Sequence, residues 1–154
     1  MVITTVQVVT KVLLSLHVLA AILAVGPVTV AASMFPATAR RGETDRLRLL
    51  HRICRVYAGI GIAVPVFGFA TASSLGVLGN AWLIVSIVLT TLAAAVLVFQ
   101  VLPGQDKLLA EPPAEGAVTT RVGTRLAMYT GMFNLLWATV TVLMIVRPGS
   151  TTGA

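Results

Sequence analysis

Residues 12–34, VLLSLHVLAAILAVGPVTVAASM, decide the fold. These 23 residues hold no acid, no lysine and no arginine. At about 1.5 Å per residue, a helix of this length crosses a hydrocarbon core of about 30 Å. Three further runs are similarly apolar, residues 55–73, 81–102 and 123–146, with Arg55 and Arg125 their only charged residues. None alternates apolar and polar residues as a membrane β-strand would. Continuous apolar runs predict helices, which satisfy their own backbone groups in lipid.

The rest of the composition agrees. The chain of 154 residues is 57 % hydrophobic and 10 % charged, where a soluble average is roughly 25 % charged. Mean hydropathy is +0.97. The reading is one integral membrane domain over residues 1–154, an all-α, four-helix transmembrane bundle. A basic loop is expected over 35–54, a polar loop over 103–122 and a disordered tail over 148–154. The third helix is expected to end at Pro103-Gly104, and Thr44 or Asp45 to cap a short amphipathic start to the second. The apolar run is longer than the roughly 7–15 residues of a secretory signal core, so the first helix is expected to be retained.

The net charge of +6 would suggest nucleic acid in a soluble protein. Here the cations are grouped instead. Six of eleven, Arg40, Arg41, Arg46, Arg48, Arg52 and Arg55, lie in and around the first loop, and Lys107, Arg121 and Arg125 lie around the third. The second loop, SSLGVLGN, has none. Short cytoplasmic loops collect Lys and Arg, so loops one and three are expected in the cytoplasm and both termini outside. That orientation accounts for the basic charge without nucleic acid and leaves anionic lipid headgroups as a further partner. The setting it fits is a bacterial inner (plasma) membrane, crossed several times.

Chemistry-bearing residues are few. Cys54 is the single cysteine, so there is neither an intrachain disulfide nor a cysteine zinc site. All five acids, Glu43, Asp45, Asp106, Glu111 and Glu115, fall in the expected cytoplasmic loops. A buried carboxylate relay is therefore not expected. No phosphate loop, zincin motif or nucleophile elbow occurs, and the chain does not read as an enzyme.

Two features suggest packing. Gly123, Ala127 and Gly131 recur every four residues on helix four, a spacing that lets a neighbouring helix approach closely. That neighbour is either another helix of this chain or a second protein, in a homodimer or larger membrane complex. Pro27 and Pro65 interrupt helices one and two at similar depth. Each removes a backbone hydrogen bond, and two kinks at one level open a cavity on one reading and are merely tolerated on the other.

The intramembrane polar residues are His17, Thr71, Ser86, Asn134 and Thr141. Counted from the helix ends, His17, Thr71, Ser86 and Thr141 share the outer third, with hydroxyls or backbone as partners for the imidazole. Asn134 lies nearer the centre and needs a partner of its own. His51, at the cytoplasmic mouth of helix two, is most of a membrane thickness from His17. The two cannot ligate one haem. His17 with Met144 remains a conceivable ligand pair. His51 and Cys54 share a helix face but do not complete a copper or zinc set.

LHVLAAILAVG early in helix one, the arginine-rich first loop and the closing WATVTVLMIVRPG together resemble a bacterial family of predicted integral membrane proteins of unknown function. Its members have four helices and an LHV histidine in helix one, and they look distantly like the copper-resistance CopD membrane proteins. The resemblance implies a four-helix membrane fold and, at His17 alone, a cofactor-binding position. Two functional expectations follow. The first is a non-enzymatic accessory or assembly subunit acting through helix packing, with no cofactor. The second is a haem-, copper- or small-molecule-handling protein using His17 and a cavity near Pro27 and Pro65.

Overall fold

A computed structural model of the chain describes the backbone of residues 2–110 and 117–149, with side chains for 5–110 and 121–149. Among these residues there are helices and no strands. Helix α1 runs Val2–Arg40, α2 Thr44–Ile60, α3 Ala63–Leu75, α4 Ala81–Val96, α5 Leu102–Ala110 and α6 Ala117–Val146, with a π turn at Leu97–Val101 between α4 and α5. End to end they make four rods: α1, α2 with α3, α4 with α5, and α6. Each is long and apolar enough to cross a membrane. Large apolar side chains cover the outside, among them Ile145 at 75 % exposure, Phe99 at 71 % and Leu135 at 70 %. Helices apolar all round are what a bilayer selects, and this is the architecture of a multi-pass membrane protein.

The rods extend past the apolar runs. α1 continues as helix to Arg40, and α2 occupies most of the expected loop 35–54. Its inward residues, Leu47, Leu50, His51 and Cys54, fall at the i, i+3, i+4, i+7 spacing of one helix face. The arginines occupy the rest of the surface and mask that spacing in any average of hydropathy. Only Arg41 to Glu43 break the helix, with Gly42 at φ +68°. Glu43 takes the N-cap position expected of Thr44 or Asp45, without a side-chain cap bond.

The third rod does not stop at Pro103-Gly104. Proline has no N–H, and its ring crowds the carbonyl four residues back. The chain absorbs this by widening one turn: Leu102 donates to the Leu97 carbonyl, five residues back, and α5 then carries on to Ala110. Of the expected loop 103–122, residues 111–116 lie outside the described residues, as do 150–154 of the tail. Pro65 acts similarly on the second rod. The Gly61 carbonyl, which Pro65 cannot serve, accepts instead from Val64 at 3.1 Å. Pro27 and Pro36, by contrast, lie inside an unbroken α1.

The bundle is unevenly filled. Around the arginine-rich end, Val28, Ala31, Ala32, Phe35 and Ala39 of α1 pack against Leu50 and Cys54 of α2 and against Leu126 and Phe133 of α6. The small residues that permit close approach are thus the alanines of α1. At the opposite end the buried cluster is reduced to Ala72, Trp82 and Leu83. There α3 packs on α1 and α4 packs on α6, and the space between these two pairs is open.

Candidate functional site

That space is a cavity of about 1070 Å³, at the top of the roughly 300–1,000 Å³ range of ligand pockets. α1, α3, α4 and α6 all line it, and its walls are mostly apolar. Pro65 and Gly26 both reach it. Of the two prolines expected to open a cavity, Pro65 borders this one, whereas Pro27, inside the unbroken α1, is not part of its wall.

His17 lies on the α1 side of this cavity. Its Nδ1 is 2.9 Å from the Val64 carbonyl oxygen of α3. A carbonyl only accepts, so Nδ1 carries a proton and donates. The imidazole fits here because position 68 is glycine. A Cβ on Gly68 would stand 2.9 Å from His17 Cε1 and 3.1 Å from Nδ1. Of the two partner types expected for His17, the backbone is the one used.

The expected hydroxyl neighbours bond elsewhere. Thr71 Oγ1 donates to Phe67 O at 2.7 Å, Ser86 Oγ to Trp82 O at 2.8 Å and Thr141 Oγ1 to Trp137 O at 2.9 Å. Each closes on its own helix one turn back, as hydroxyls in helices commonly do. Thr71 and Thr141 still border the cavity; Ser86 is fully buried. Asn134 finds its partner across the bundle, where Nδ2 donates to Ser33 Oγ of α1 at 3.1 Å.

Two lining groups went unnoticed in the sequence as a pair. Trp82, only 8 % exposed, has an indole N–H with no hydrogen-bond partner. The Arg147 guanidinium lies over its ring, 5.9 Å from the centroid. Arg147 Nε donates to Met144 O at 3.3 Å. Among the described residues, His17 and Arg147 are the ionisable ones on the cavity wall.

The small-residue stripe of α6 does not pack within the chain as a unit. Ala127 and Gly131 are exposed and Gly123 is buried, and a Cβ at either glycine would have nothing within 4 Å. The inward face of α6 instead carries Leu126, Thr130, Phe133 and Val140, whose larger side chains fill the core. Of the arginine cluster, Arg40, Arg41, Arg46, Arg48, Arg52 and Arg55 are all exposed. Glu43 meets Arg46 at 3.2 Å and Asp45 meets Arg48 at 3.8 Å.

A second polar site lies at the arginine-rich end. His51 Nδ1 donates to Gln105 Oε1 at 2.9 Å, and Gln105 Nε2 donates to Cys54 Sγ at 3.5 Å. Asp106 Oδ1 is 3.0 Å from His51 Nε2, but off the line a hydrogen bond needs, since Nε2 has no hydrogen-bond partner. The contact is electrostatic and attracts only when the ring is protonated. With Gln105 fully buried, the cluster ties α2 to α5.

Ligand supply for a cofactor is thin. His51 is tied at the far end of the bundle, so no second histidine reaches His17. Met144 does line the same cavity. Among the described residues no group of three His, Cys, Asp or Glu could hold a metal ion. The donors fit neither a bis-histidine haem nor a copper site of three such ligands. Comparison with protein-family models, curated proteins and solved structures returns no match.

Proposed function

We propose that this chain is a membrane protein that binds a small, largely apolar molecule, taken up from the bilayer into the cavity between the α1–α3 and α4–α6 pairs. The observation that carries the reading is the cavity itself. It is a space of about 1070 Å³ with apolar walls and a histidine held in one orientation by Val64. An apolar pocket with a few convergent polar groups is the usual form of a small-molecule site. Neither a reaction nor a cofactor enters this reading.

Both tryptophans of the chain, Trp82 and Trp137, line the cavity, so they report on its contents. A brominated neutral probe, dibrominated oleyl alcohol, is expected to quench their fluorescence saturably in lipid nanodiscs. Gly26→Phe supplies the control. A Cβ there meets nothing within 4 Å, so the ring enters open space, and replacing glycine with phenylalanine favours the helix by a few tenths of a kcal/mol. The variant is expected to fold and to lose about ten-fold or more in probe affinity, roughly 1.4 kcal/mol. Non-saturable quenching in the unaltered protein, equal to that of a tryptophan-bearing helix peptide in the same bilayer, sinks the proposal.

The same reading places the arginine-rich turn in the cytoplasm of a bacterial inner membrane, on the clustering of basic residues there. A phosphatase fused after the last residue is then expected to be active and a fluorescent protein fused there to be dark. The reverse pattern overturns the orientation.

A further inference from the structure

Resting on that reading, we propose that the cavity's ligand is a neutral lipid alcohol, whose hydroxyl donates to His17 Nε2 while its apolar body fills the rest of the space.

His17 stands on the inward face of α1. The same stripe continues through Ala24, Val28, Ala31 and Phe35, at the spacings of seven, four and three that mark one helix face. Those four residues are buried, yet His17 is only half-buried. What it lines is the cavity, so the exposed part of its ring faces that space.

The two ring nitrogens are placed differently. Nδ1 donates to the Val64 carbonyl at 2.9 Å. The same edge of the ring rests on Gly68, where a Cβ would be 2.9 Å from Cε1 and 3.1 Å from Nδ1 but 3.8 Å from Nε2. Helix α3 therefore takes the Nδ1–Cε1 edge and leaves Nε2 further out. Nε2 makes no hydrogen bond among the described residues. Nor is it one of the nitrogens that the fold closes off unpaired, as it does Trp82 Nε1 and His51 Nε2. It is open to contact. In a neutral ring with its proton on Nδ1, Nε2 is an acceptor, and its partner has to donate.

The hydroxyls of the wall call for the same kind of partner. Thr71, Thr91 and Thr141 line the cavity, and each gives its one proton to a carbonyl four residues back. A threonine used in this way still offers oxygen lone pairs. His17 and these threonines thus present acceptors within mostly apolar walls. A ligand without a donor leaves the His17 acceptor desolvated and unpaired, which costs free energy. An ammonium would donate but would bring a charge into the apolar space at far greater cost. A hydroxyl donates and stays neutral.

The test uses the full chain in nanodiscs of zwitterionic lipid at about pH 8, above the ordinary imidazole value of about 6.5. Dibrominated oleyl alcohol is the quenching probe. Oleyl alcohol, its methyl ether and oleate compete with it at equal mole fraction in the bilayer. The ether keeps the chain and the oxygen but has no proton to give. The alcohol is expected to compete about five-fold more strongly than the ether, the scale of one hydrogen bond between neutral groups. His17→Asn sets an amide nitrogen where Nδ1 stood and nothing where Nε2 stood. It is expected to keep the bond to the Val64 carbonyl and to bring the alcohol down to the level of the ether. In protein labelled with nitrogen-15 at its two histidines, the Nε2 signal of His17 is expected to move upfield with the alcohol and not with the ether. His51, at the other end of the bundle, is the unmoved reference.

Equal competition by alcohol and ether in the unaltered protein overturns the hydroxyl assignment while the cavity function stands. Stronger competition by oleate than by the alcohol overturns it too. A His17→Asn protein that keeps the full preference, or a His17 signal that does not move, removes His17 as the acceptor and the proposal with it. The absence of saturable quenching by the probe removes the underlying function as well. Where His17→Asn fails to fold, the nitrogen-15 signal of the unaltered protein decides the matter.

Discussion

Replacing Gln105 with leucine is expected to lower folding stability by about 2 kcal/mol, the range for leaving buried polar partners unsatisfied. Leucine is no smaller than glutamine, so the substitution leaves no packing void. It removes the acceptor of His51 Nδ1 and the donor to Cys54 Sγ together. Side-chain hydrogen bonds between membrane helices average only about 0.6 kcal/mol, because the unfolded helices find other partners in lipid. This site is expected to exceed that value. Gln105 is wholly buried, and the same cluster is the polar tie between α2 and α5.

Reversible unfolding in mixed micelles with increasing dodecyl sulfate, followed by tryptophan fluorescence, measures the effect. His51→Leu alone is expected to cost a similar amount. The double variant is expected to cost clearly less than the two added together, since residues in one network are not additive. Losses below about 0.5 kcal/mol in both single variants, within the range of ordinary surface substitutions, reduce the cluster to incidental contact.

This cluster shows where the sequence stops being legible. His51 and Cys54 were identifiable as sharing a face from their spacing of three. Gln105 was not, because it follows a proline and a glycine that read as the end of a helix. The π turn carries the rod past Pro103, and only that continuation brings residue 105 to residue 51. The four-rod architecture was plain in apolarity alone, since bilayer thickness sets the length of each run. The amphipathic start of the second rod was expected from the sequence, and the spacing of Leu47, Leu50 and Cys54 carries it beneath the arginines.

The cavity was half legible. Pro65 and the Gly26 end of the first run marked its depth, and His17 marked one wall. The Trp82–Arg147 pair on its wall was not visible, because it joins residues 65 positions apart. Each reads separately as an ordinary interfacial residue. The α6 stripe left its neighbour open for a related reason. The small residues at 123, 127 and 131 and the residues at 126, 130, 133 and 140 describe two stripes of one helix, and spacing alone does not say which one turns inward. The partner of His17 had no signature at all, since a backbone carbonyl is present at every position.

Gly68→Ala tests that partner, and its expected effect reverses sign with the residue at position 17. In the unaltered protein the new Cβ would lie 2.9 Å from His17 Cε1 and 3.1 Å from Nδ1. Histidine has only two side-chain torsions, and α1 is held against α3 along its length, so the ring must leave the Val64 carbonyl. Overpacking of this kind costs about 1–3 kcal/mol, and the lost hydrogen bond about 1 kcal/mol. Alanine returns up to about 1 kcal/mol through its better helix propensity. The net expectation is a loss of about 1–3 kcal/mol, the difference of those contributions. In a His17→Ala background the obstructing ring is gone and only the propensity gain remains. Gly68→Ala is then expected to be neutral or stabilising by up to about 1 kcal/mol. The same dodecyl sulfate titration, run on all four members of the cycle, gives the coupling directly. An identical effect of Gly68→Ala in both backgrounds dissociates the glycine from the histidine and removes the reason to regard His17 as held in one orientation at the cavity wall.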